Sequence, residues 1–225
     1  GPIFSHFVLA DEINRAPPKV QSALLEAMQE YQATIGKETY PIERPFFVLA
    51  TQNPIETLGT YTLPEAQVDR FLFKLQMGYP SKDEEKLIIE QNITIKPFDE
   101  FKIKPILSPS HVIRLQNLTK SIAHSDKIKE YIVEIVNSSR EFDKYGIKTG
   151  KYIEFGASPR ASISLFIAAK ADALIKGDTF IKPQHIKNVA HDVLRHRLIM
   201  NYIGQAEGIK INDIITENLA SVPIP

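Results

Sequence analysis

The first third of the chain places short apolar runs between polar segments, a pattern typical of α/β proteins. Two of these runs are continuous, as expected for buried strands of a parallel sheet. The pattern predicts a strand over Phe7–Ala10, a helix from Pro17-Pro18 to Glu30, a β-hairpin of Gln32–Ile35 and 38–42 around Gly36-Lys37, and a strand over 46–50. Polar residues follow both apolar runs, and ligands of open α/β sheets collect at such strand ends.

The remainder of the chain changes to helical periodicity. Predicted helices cover residues 82–91, 110–122, 127–139, 159–175 and 183–200. Ser110 and Ser158 are predicted to cap the starts of their helices, and Gly177 is predicted to end one. We therefore divide the chain into an α/β region, residues 1–79, and a helical region, residues 80–225, which we expect to pack as an independent lid.

Composition narrows the class of protein. The chain has 225 residues, of which 43% are hydrophobic and 24% charged, enough for a packed core. Its 27 basic and 27 acidic residues cancel, which argues against a general affinity for nucleic acid or anionic lipid. The absence of cysteine excludes disulfides, thiolate zinc sites and cysteine nucleophiles. No export signal begins the sequence and no apolar stretch is long enough to cross a bilayer, so we predict a cytoplasmic protein.

Two adjacent carboxylates, Asp11 and Glu12, follow the first apolar run directly. This arrangement fits the acidic motif of P-loop NTPases, in which one acid holds Mg²⁺ on the nucleotide phosphates and the other polarises a water molecule. Alternation of side chains along a strand would aim the two acids at different targets. The alternative is a solvated strand end that favours the next helix N-terminus. The hexapeptide alone leaves both interpretations open.

A longer set of motifs distinguishes the two interpretations of the acidic pair. Leu9-Ala10-Asp11-Glu12-Ile13-Asn14-Arg15-Ala16 is followed, in order, by motifs at residues 21–30, 50–54, 63–71, 156–162, 192–197 and 222–225. Together these motifs closely resemble the MoxR family of AAA+ ATPases over essentially the whole chain. The resemblance implies an α/β plus all-α protein: the C-terminal part of a P-loop AAA+ α/β core, followed by a helical lid domain.

The resemblance also implies roles for individual residues, with ATP and Mg²⁺ as cofactors. Asp11 is similar to the Walker B acid that holds the metal, and Glu12 to the catalytic base. Asn53 is similar to sensor 1, whose amide orients the attacking water, although a turn residue before Pro54 is the alternative. Arg160 is similar to sensor 2, which reaches the phosphates from the lid; its alternative is a helix-surface arginine.

Arg70 is similar to the arginine finger, a guanidinium that neutralises transition-state charge across a subunit interface. The alternative is a surface ion pair with Asp69 or Glu65, which contributes little. We expect Phe71-Leu72-Phe73 to form an apolar strand that anchors Arg70. In a single chain Arg70 should be exposed, because its target lies on a neighbouring subunit.

One motif of an ATPase is absent. The sequence contains no Gly-x-x-x-x-Gly-Lys-Ser/Thr, and Ser or Thr follows neither of its Gly-Lys pairs, Gly36-Lys37 and Gly150-Lys151. The family carries this phosphate-binding loop upstream of the Walker B strand. We therefore expect the chain to be a C-terminal fragment of an ATPase and to hydrolyse ATP negligibly by itself.

The resemblance implies a hexameric ring that binds ATP between subunits and remodels or matures other proteins, alongside a partner that bears a von Willebrand factor A domain. One alternative is a nucleic-acid motor or loader, but the hairpin offers Lys37 as its one basic residue, against Glu38, so no nucleic acid is expected. Another is a non-catalytic regulatory module. His185, His191 and His196 are spaced six and five apart, which does not place them on one helix face, so Mg²⁺ is the one metal expected.

Overall fold

The computed structural model describes residues 1–53, 59–92 and 101–225. Its elements are β1 (Phe7–Ala10), α1 (Pro18–Glu30), β2 (Gln32–Ile35), β3 (Glu38–Pro41), β4 (Phe47–Ala50), α2 (Glu65–Val68), α3 (Lys82–Asn92), α4 (Pro109–Ser121), α5 (Asp126–Ser138), β5 (Ile153–Phe155), α6 (Pro159–Ile175), α7 (Pro183–Leu194), β6 (Ile199–Met200), α8 (Tyr202–Ala206) and α9 (Ile211–Ser221). The α/β part followed by helices confirms the predicted fold class.

The α/β part is built on β1 and β4, which pair in parallel and in register from Phe7 opposite Phe47 to Ala10 opposite Ala50. Alternate side chains of both strands are exposed on one face of this pair. The other face packs on a small buried cluster formed by Ile13, Leu24 and Leu63. The predicted hairpin is present as the antiparallel pair of β2 and β3, with Gly36 at a φ of 67° in its turn.

The helical part has a larger core, built mainly from α5, α6 and α7. Small side chains on α6 let its neighbours approach closely, and branched side chains on the facing helices fill the space between them. The members of this core that are at most 2% exposed are Ile132, Ile135, Val136, Ala157, Ala161, Leu165, Ala168, Ala169, Ala173, Ile186, Ala190, Val193, Leu194 and Ile215. The apolar side chains of α7 therefore pack in this core.

Two predicted helix boundaries are wrong. The helix predicted over 183–200 ends at Leu194, because Ile199–Met200 leaves the helix and pairs with β5. The N-cap of α4 is Ser108, not Ser110: the Ser108 Oγ accepts a hydrogen bond from the His111 backbone N–H at 3.3 Å, and Pro109 occupies the first helical position. Proline is preorganised for that position, which fixes the helix start.

The strands of the helical part, β5 and β6, form a two-stranded sheet of their own, separate from β1 and β4. Division of the chain at residue 79 stays a prediction. In the part of the chain that the structure describes, no helix is long and apolar enough to cross a membrane.

Candidate active site

The polar ends of β1 and β4 meet through Thr51, the first residue after β4. The Thr51 N–H donates to the Ala10 carbonyl at 3.0 Å, which continues the strand pairing by one residue. The Thr51 hydroxyl donates to Asp11 Oδ1 at 2.6 Å and accepts from the Glu12 N–H at 2.8 Å. One threonine therefore fixes both acids of the predicted Walker B pair at the carboxyl edge of the two strands.

Glu12 has a left-handed backbone conformation, with a φ of 47° and a ψ of 52°. Strand geometry ends at Ala10, so the expectation that strand alternation separates the two acids is wrong: a turn places them instead. A non-glycine residue in this conformation is strained by about 1–2 kcal/mol and occurs preferentially at functional sites. The Glu12 carboxylate pairs with the Arg15 guanidinium at 2.8 Å, with both side chains partly exposed.

Asn53 lies two residues after Thr51 and is half-buried beside the same edge. Its carbonyl accepts from Asn14 Nδ2 at 3.3 Å, and the Ile13 N–H donates to the Thr51 carbonyl at 3.0 Å. These bonds hold the segment after β1 against the segment after β4. The structure therefore brings Asp11, Glu12 and Asn53 to one edge, as their placement after parallel strands predicts.

Buried Gln21 supports this edge from α1. Its Nε2 donates to the carbonyls of Ile13 and Tyr61, both at 3.1 Å. The buried Asn14 Oδ1 has no hydrogen-bond partner among the described residues. Neither Gln21 nor Thr51 stands out in the sequence, because their partners lie eight to forty residues away.

Arg70 lies on the exposed surface just after α2, as expected for a residue that acts on another subunit. Its Nη1 donates to the side chain of Gln29, near the end of α1. The Arg70 side chain is therefore held by Gln29 and not by Asp69 or Glu65, the partners of the alternative interpretation. The strand predicted over 71–73 is absent, because the backbone carbonyls of Phe71 and Leu72 accept hydrogen bonds from the helical part instead.

Arg160 lies in the first turn of α6 and is about half exposed, with 47% of its side chain accessible. Its Nη1 is 3.8 Å from Asp69 Oδ2. The residues before α6 are held tightly: a Cβ on Gly156 would lie 2.4 Å from the Ser139 carbonyl oxygen, and Arg140 Nε donates to the Ala157 carbonyl at 2.7 Å. The start of α6, and Arg160 with it, is therefore fixed on the end of α5.

A buried arginine, Arg197, joins the helical part to the segment that carries Arg70. Its Nε donates to Asp69 Oδ1 at 2.8 Å, and its Nη2 donates to the carbonyls of Asp69 and Phe71 at 2.9 and 2.8 Å. Burial lowers the pKa of the Arg197 guanidinium, and the hydrogen bond to Asp69 opposes that shift. Arg197 belongs to the motif at residues 192–197, but the sequence does not reveal its partner.

Comparison with known proteins adds to this geometry. The profile of the ATPase family associated with various cellular activities (AAA) matches residues 1–73, and that of the AAA lid domain matches residues 148–218. The chain is 45% identical to Chaperone MoxR1 of Mycobacterium tuberculosis, over 100% of this chain and 59% of that protein. It is 43% identical to the uncharacterized protein YeaC of Bacillus subtilis, over 100% of this chain and 67% of that protein.

A solved structure agrees with these relatives. The crystal structure of a candidate ATPase from Cytophaga hutchinsonii superposes with a TM-score of 0.91 at 45% identity, over 100% of this chain and 68% of that chain. The chain belongs to the MoxR family of AAA ATPases. This MoxR-family chain spans 59% of the length of the mycobacterial relative.

The donor set of this MoxR-family chain fits a magnesium ion shared with a nucleotide. Among the described residues, no group of three His, Cys, Asp or Glu side chains could hold a metal by itself. Mg²⁺ usually binds through one or two carboxylates together with substrate phosphates and water. Asp11, exposed and with only Oδ1 engaged by Thr51, offers one such carboxylate oxygen.

Proposed function

We propose that this chain is the Walker B, sensor and lid portion of an ATPase that hydrolyses ATP with Mg²⁺ in an oligomeric ring, and that the ring remodels or matures partner proteins. One observation carries the proposal: Thr51 gathers Asp11 and Glu12 at the edge where two parallel strands end, with Asn53 beside them. This is where an open α/β sheet binds its ligand.

Each residue has a defined part in the proposed reaction. Mg²⁺, when bound with ATP, supplies charge neutralisation at the phosphates. Asp11 would hold the metal, and the Glu12 carboxylate would accept the proton of the attacking water. The Asn53 amide would orient that water without adding charge. The 2.8 Å contact with the Arg15 guanidinium holds the Glu12 carboxylate in place at this edge.

The phosphate-binding loop is not among these 225 residues. We propose that the loop acts from outside them, and that the 225-residue chain alone hydrolyses ATP negligibly. A hexamer and a partner with a von Willebrand factor A domain stay predictions from the resemblance, and a cytoplasmic location stays a prediction from the sequence. The nucleic-acid motor is the weaker candidate, since the exposed hairpin presents Lys37 beside Glu38 and offers no basic stripe to a phosphate backbone.

Glu12→Gln in the full-length gene product tests the proposal. The glutamine keeps the shape of the side chain and removes the base, so we expect steady-state hydrolysis to fall at least ~100-fold while ATP binding is retained. Glu43→Gln, a matched change at an exposed loop position, should leave turnover unchanged. Equal activity of the Glu12 and Glu43 variants would remove Glu12 from the mechanism.

A mixing experiment tests the ring. Arg70→Ala should slow hydrolysis and leave nucleotide affinity nearly intact, because the arginine acts on the neighbouring subunit's nucleotide. Mixed rings of Arg70→Ala and Glu12→Gln subunits should regain part of the activity, since some interfaces again pair an intact arginine with an intact base. Mixed rings that co-assemble and stay inactive would contradict action between subunits.

A further inference from the structure

The turn that carries Glu12 is attached to two other segments of the chain. The Glu12 N–H donates to the Thr51 hydroxyl at 2.8 Å, and the Ile13 N–H donates to the Thr51 carbonyl at 3.0 Å. The next carbonyl of the turn, that of Asn14, accepts from the Tyr61 N–H at 2.6 Å. The turn is therefore held between the segment directly after β4 and the segment around Tyr61.

One side chain of α1, Gln21, bonds to both the turn and Tyr61. Its Nε2 donates to the Ile13 carbonyl and to the Tyr61 carbonyl, both at 3.1 Å. An amide nitrogen carries two N–H groups, so this single atom can serve two carbonyls from different segments. Gln21 is 2% exposed, so bulk water cannot take over its bonds. The Gln21 amide therefore ties the turn and Tyr61 to each other and to α1.

The loss of Gln21 would release the turn from this tie without unwinding it. The Ile13 carbonyl also accepts from the Ala16 N–H at 3.1 Å, within the short helical turn that follows Glu12. That bond is local and stays in place when the amide is removed. The contribution of Gln21 is therefore to fix where the turn lies, and the turn itself is formed by its own backbone.

Glu12 needs such support because its backbone is strained. Its φ of 47° and ψ of 52° are left-handed, and a residue with a Cβ keeps this conformation only where its surroundings enforce it. The bond from the Glu12 N–H to Thr51 is exposed, so it competes with water. The bond from Gln21 to Ile13 is buried, where a hydrogen bond is electrostatically stronger. The buried bond is thus the better candidate for what enforces the conformation.

We propose that Gln21 is a positioning residue for the catalytic base: from α1 it holds the turn in the left-handed conformation that aims the Glu12 carboxylate. Gln21 acts on Glu12 through the backbone of Ile13. The inference rests on the proposed role of Glu12 as the base. It implies that the base is preorganised by a buried amide of the folded chain and does not depend on bound nucleotide for its orientation.

Gln21→Met in the full-length gene product tests this role. Methionine is close to glutamine in length and volume, and it removes both N–H donors. We expect kcat to fall about tenfold with less than about a twofold change in the Kd for ATP, because the aim of the base matters in the hydrolytic step and not in binding. An unchanged kcat, or a loss that lies in ATP affinity instead, would overturn the inference.

Asn218→Leu is the matched control. Asn218 is 1% exposed, and its amide is hydrogen-bonded to the Ser138 hydroxyl at 2.8 Å in the helical core. Leucine likewise keeps the approximate volume and removes a buried amide. Both variants should lower the urea midpoint of unfolding, but only Gln21→Met should lower kcat. An equal kcat loss in Asn218→Leu would assign the effect to lost stability and overturn the inference.

Hydrogen exchange keeps this inference separate from the proposed function. The reporter is the Ile13 N–H, which donates to Thr51 inside the turn. In the full-length protein without nucleotide, Gln21→Met should speed its exchange at least about threefold, because the released turn opens more often, and Asn218→Leu should not. Faster exchange would support the hold of Gln21 on the turn even if the protein does not hydrolyse ATP. Unchanged exchange would overturn it even if the protein does.

Gln21→Asn provides a second variant if Gln21→Met fails to fold. Asparagine keeps two N–H groups on one nitrogen and draws that nitrogen back by one methylene, so it cannot reach both carbonyls from the same backbone position. It should reproduce the faster exchange at Ile13 and the kcat loss at nearly unchanged ATP affinity, both to a smaller extent. An asparagine variant with the exchange and the kcat of the unmodified protein would overturn the inference.

Discussion

The helical part and the α/β part bury their apolar side chains to different extents. Within the described residues, 21 buried residues form one continuous core in the helical part, while three form the buried cluster under β1 and β4. On the opposite face of those strands, Phe7, Leu9, Phe47 and Leu49 are between 50% and 66% exposed. The helical part is thus stabilised by its own packing, whereas none of the described residues covers one apolar face of the α/β sheet.

The contact between the α/β part and the helical part differs from both of these apolar clusters, because it is mostly polar. Arg195 donates to the Lys74 carbonyl, His196 Nε2 lies 3.0 Å from the Phe71 carbonyl, and Arg197 binds Asp69. Directional bonds fix an orientation, whereas apolar contacts allow sliding. The apolar core therefore supplies the stability of the helical part. The polar contact between the two regions, which we call the junction, fixes how they are oriented.

The largest expected effect tests where the stability lies. Ile135 is fully buried in the helical core, and Leu49 is 52% exposed on the uncovered face. Ile135→Ala should lower the free energy of unfolding by about 2–5 kcal/mol, through lost burial and the cavity left behind. Leu49→Ala should change it by less than about 0.5 kcal/mol. Urea denaturation followed by circular dichroism measures both, and similar losses would contradict the comparison.

The second prediction concerns His196 at the junction. Burial, with Arg197 as the next cause, lowers the pKa of His196 from 6.5 to about 4, and its buried Nδ1 has no partner among the described residues. The neutral ring is therefore the form that the folded protein holds. Above pH 6.5 the ring is neutral in both states, and stability is complete. Between pH 6.5 and about 4 the unfolded chain binds the proton more readily, so stability falls as pH falls.

The free energy of unfolding falls by as much as roughly 3 kcal/mol over this pH range, because a pKa difference of one corresponds to 1.36 kcal/mol. His196→Gln keeps an N–H donor for the Phe71 carbonyl and removes the titrating ring, so its unfolding free energy should depend less on pH in this range. Urea titrations at pH 7.5, 6 and 5 measure the slope. His191→Gln, on the half-exposed face of α7, is the control and should leave the slope unchanged.

Features with a local cause could be predicted from the sequence. The helix predicted over 159–175 is present with both ends correct, because Ser158 caps it, Pro159 starts it and Gly177 follows it at a φ of 76°. The two acids after β1 were likewise evident as a motif. The left-handed Glu12 was not, since its conformation depends on Thr51, 39 residues away.

Features with a distant cause could not be predicted. Asp69 and Arg197 are 128 residues apart, and no periodicity or spacing connects them. The absent strand at residues 71–73 has the same origin: its apolar side chains indicate a strand, but its carbonyls accept from the Arg197 side chain and not from a neighbouring strand. Strand propensity yields to the tertiary contact there.

The smallest expected effect on the free energy of unfolding concerns two serine N-caps. It separates what a cap contributes to its own helix from what Ser158 contributes to the contact between the two regions. Ser125 and Ser158 are both N-caps: the Ser125 Oγ accepts from the Ile128 N–H at 3.3 Å, and the Ser158 Oγ accepts from the Arg160 N–H at 3.2 Å. Ser158 alone of this pair also donates to Asp69. Ser125→Ala should cost about 1 kcal/mol, the usual value of an N-cap. Ser158→Ala should cost about 2 kcal/mol, because it also removes a hydrogen bond to a charged group.

The excess of Ser158→Ala over Ser125→Ala should vanish when Asp69 is replaced by asparagine, since the charged acceptor is then gone. The measurement is urea denaturation of the two serine variants, with and without Asp69→Asn, so that the cycle isolates the term shared by Ser158 and Asp69. An excess that persists with asparagine at 69 would assign it to the cap of α6 itself. The junction would then owe its precision to Arg197 alone.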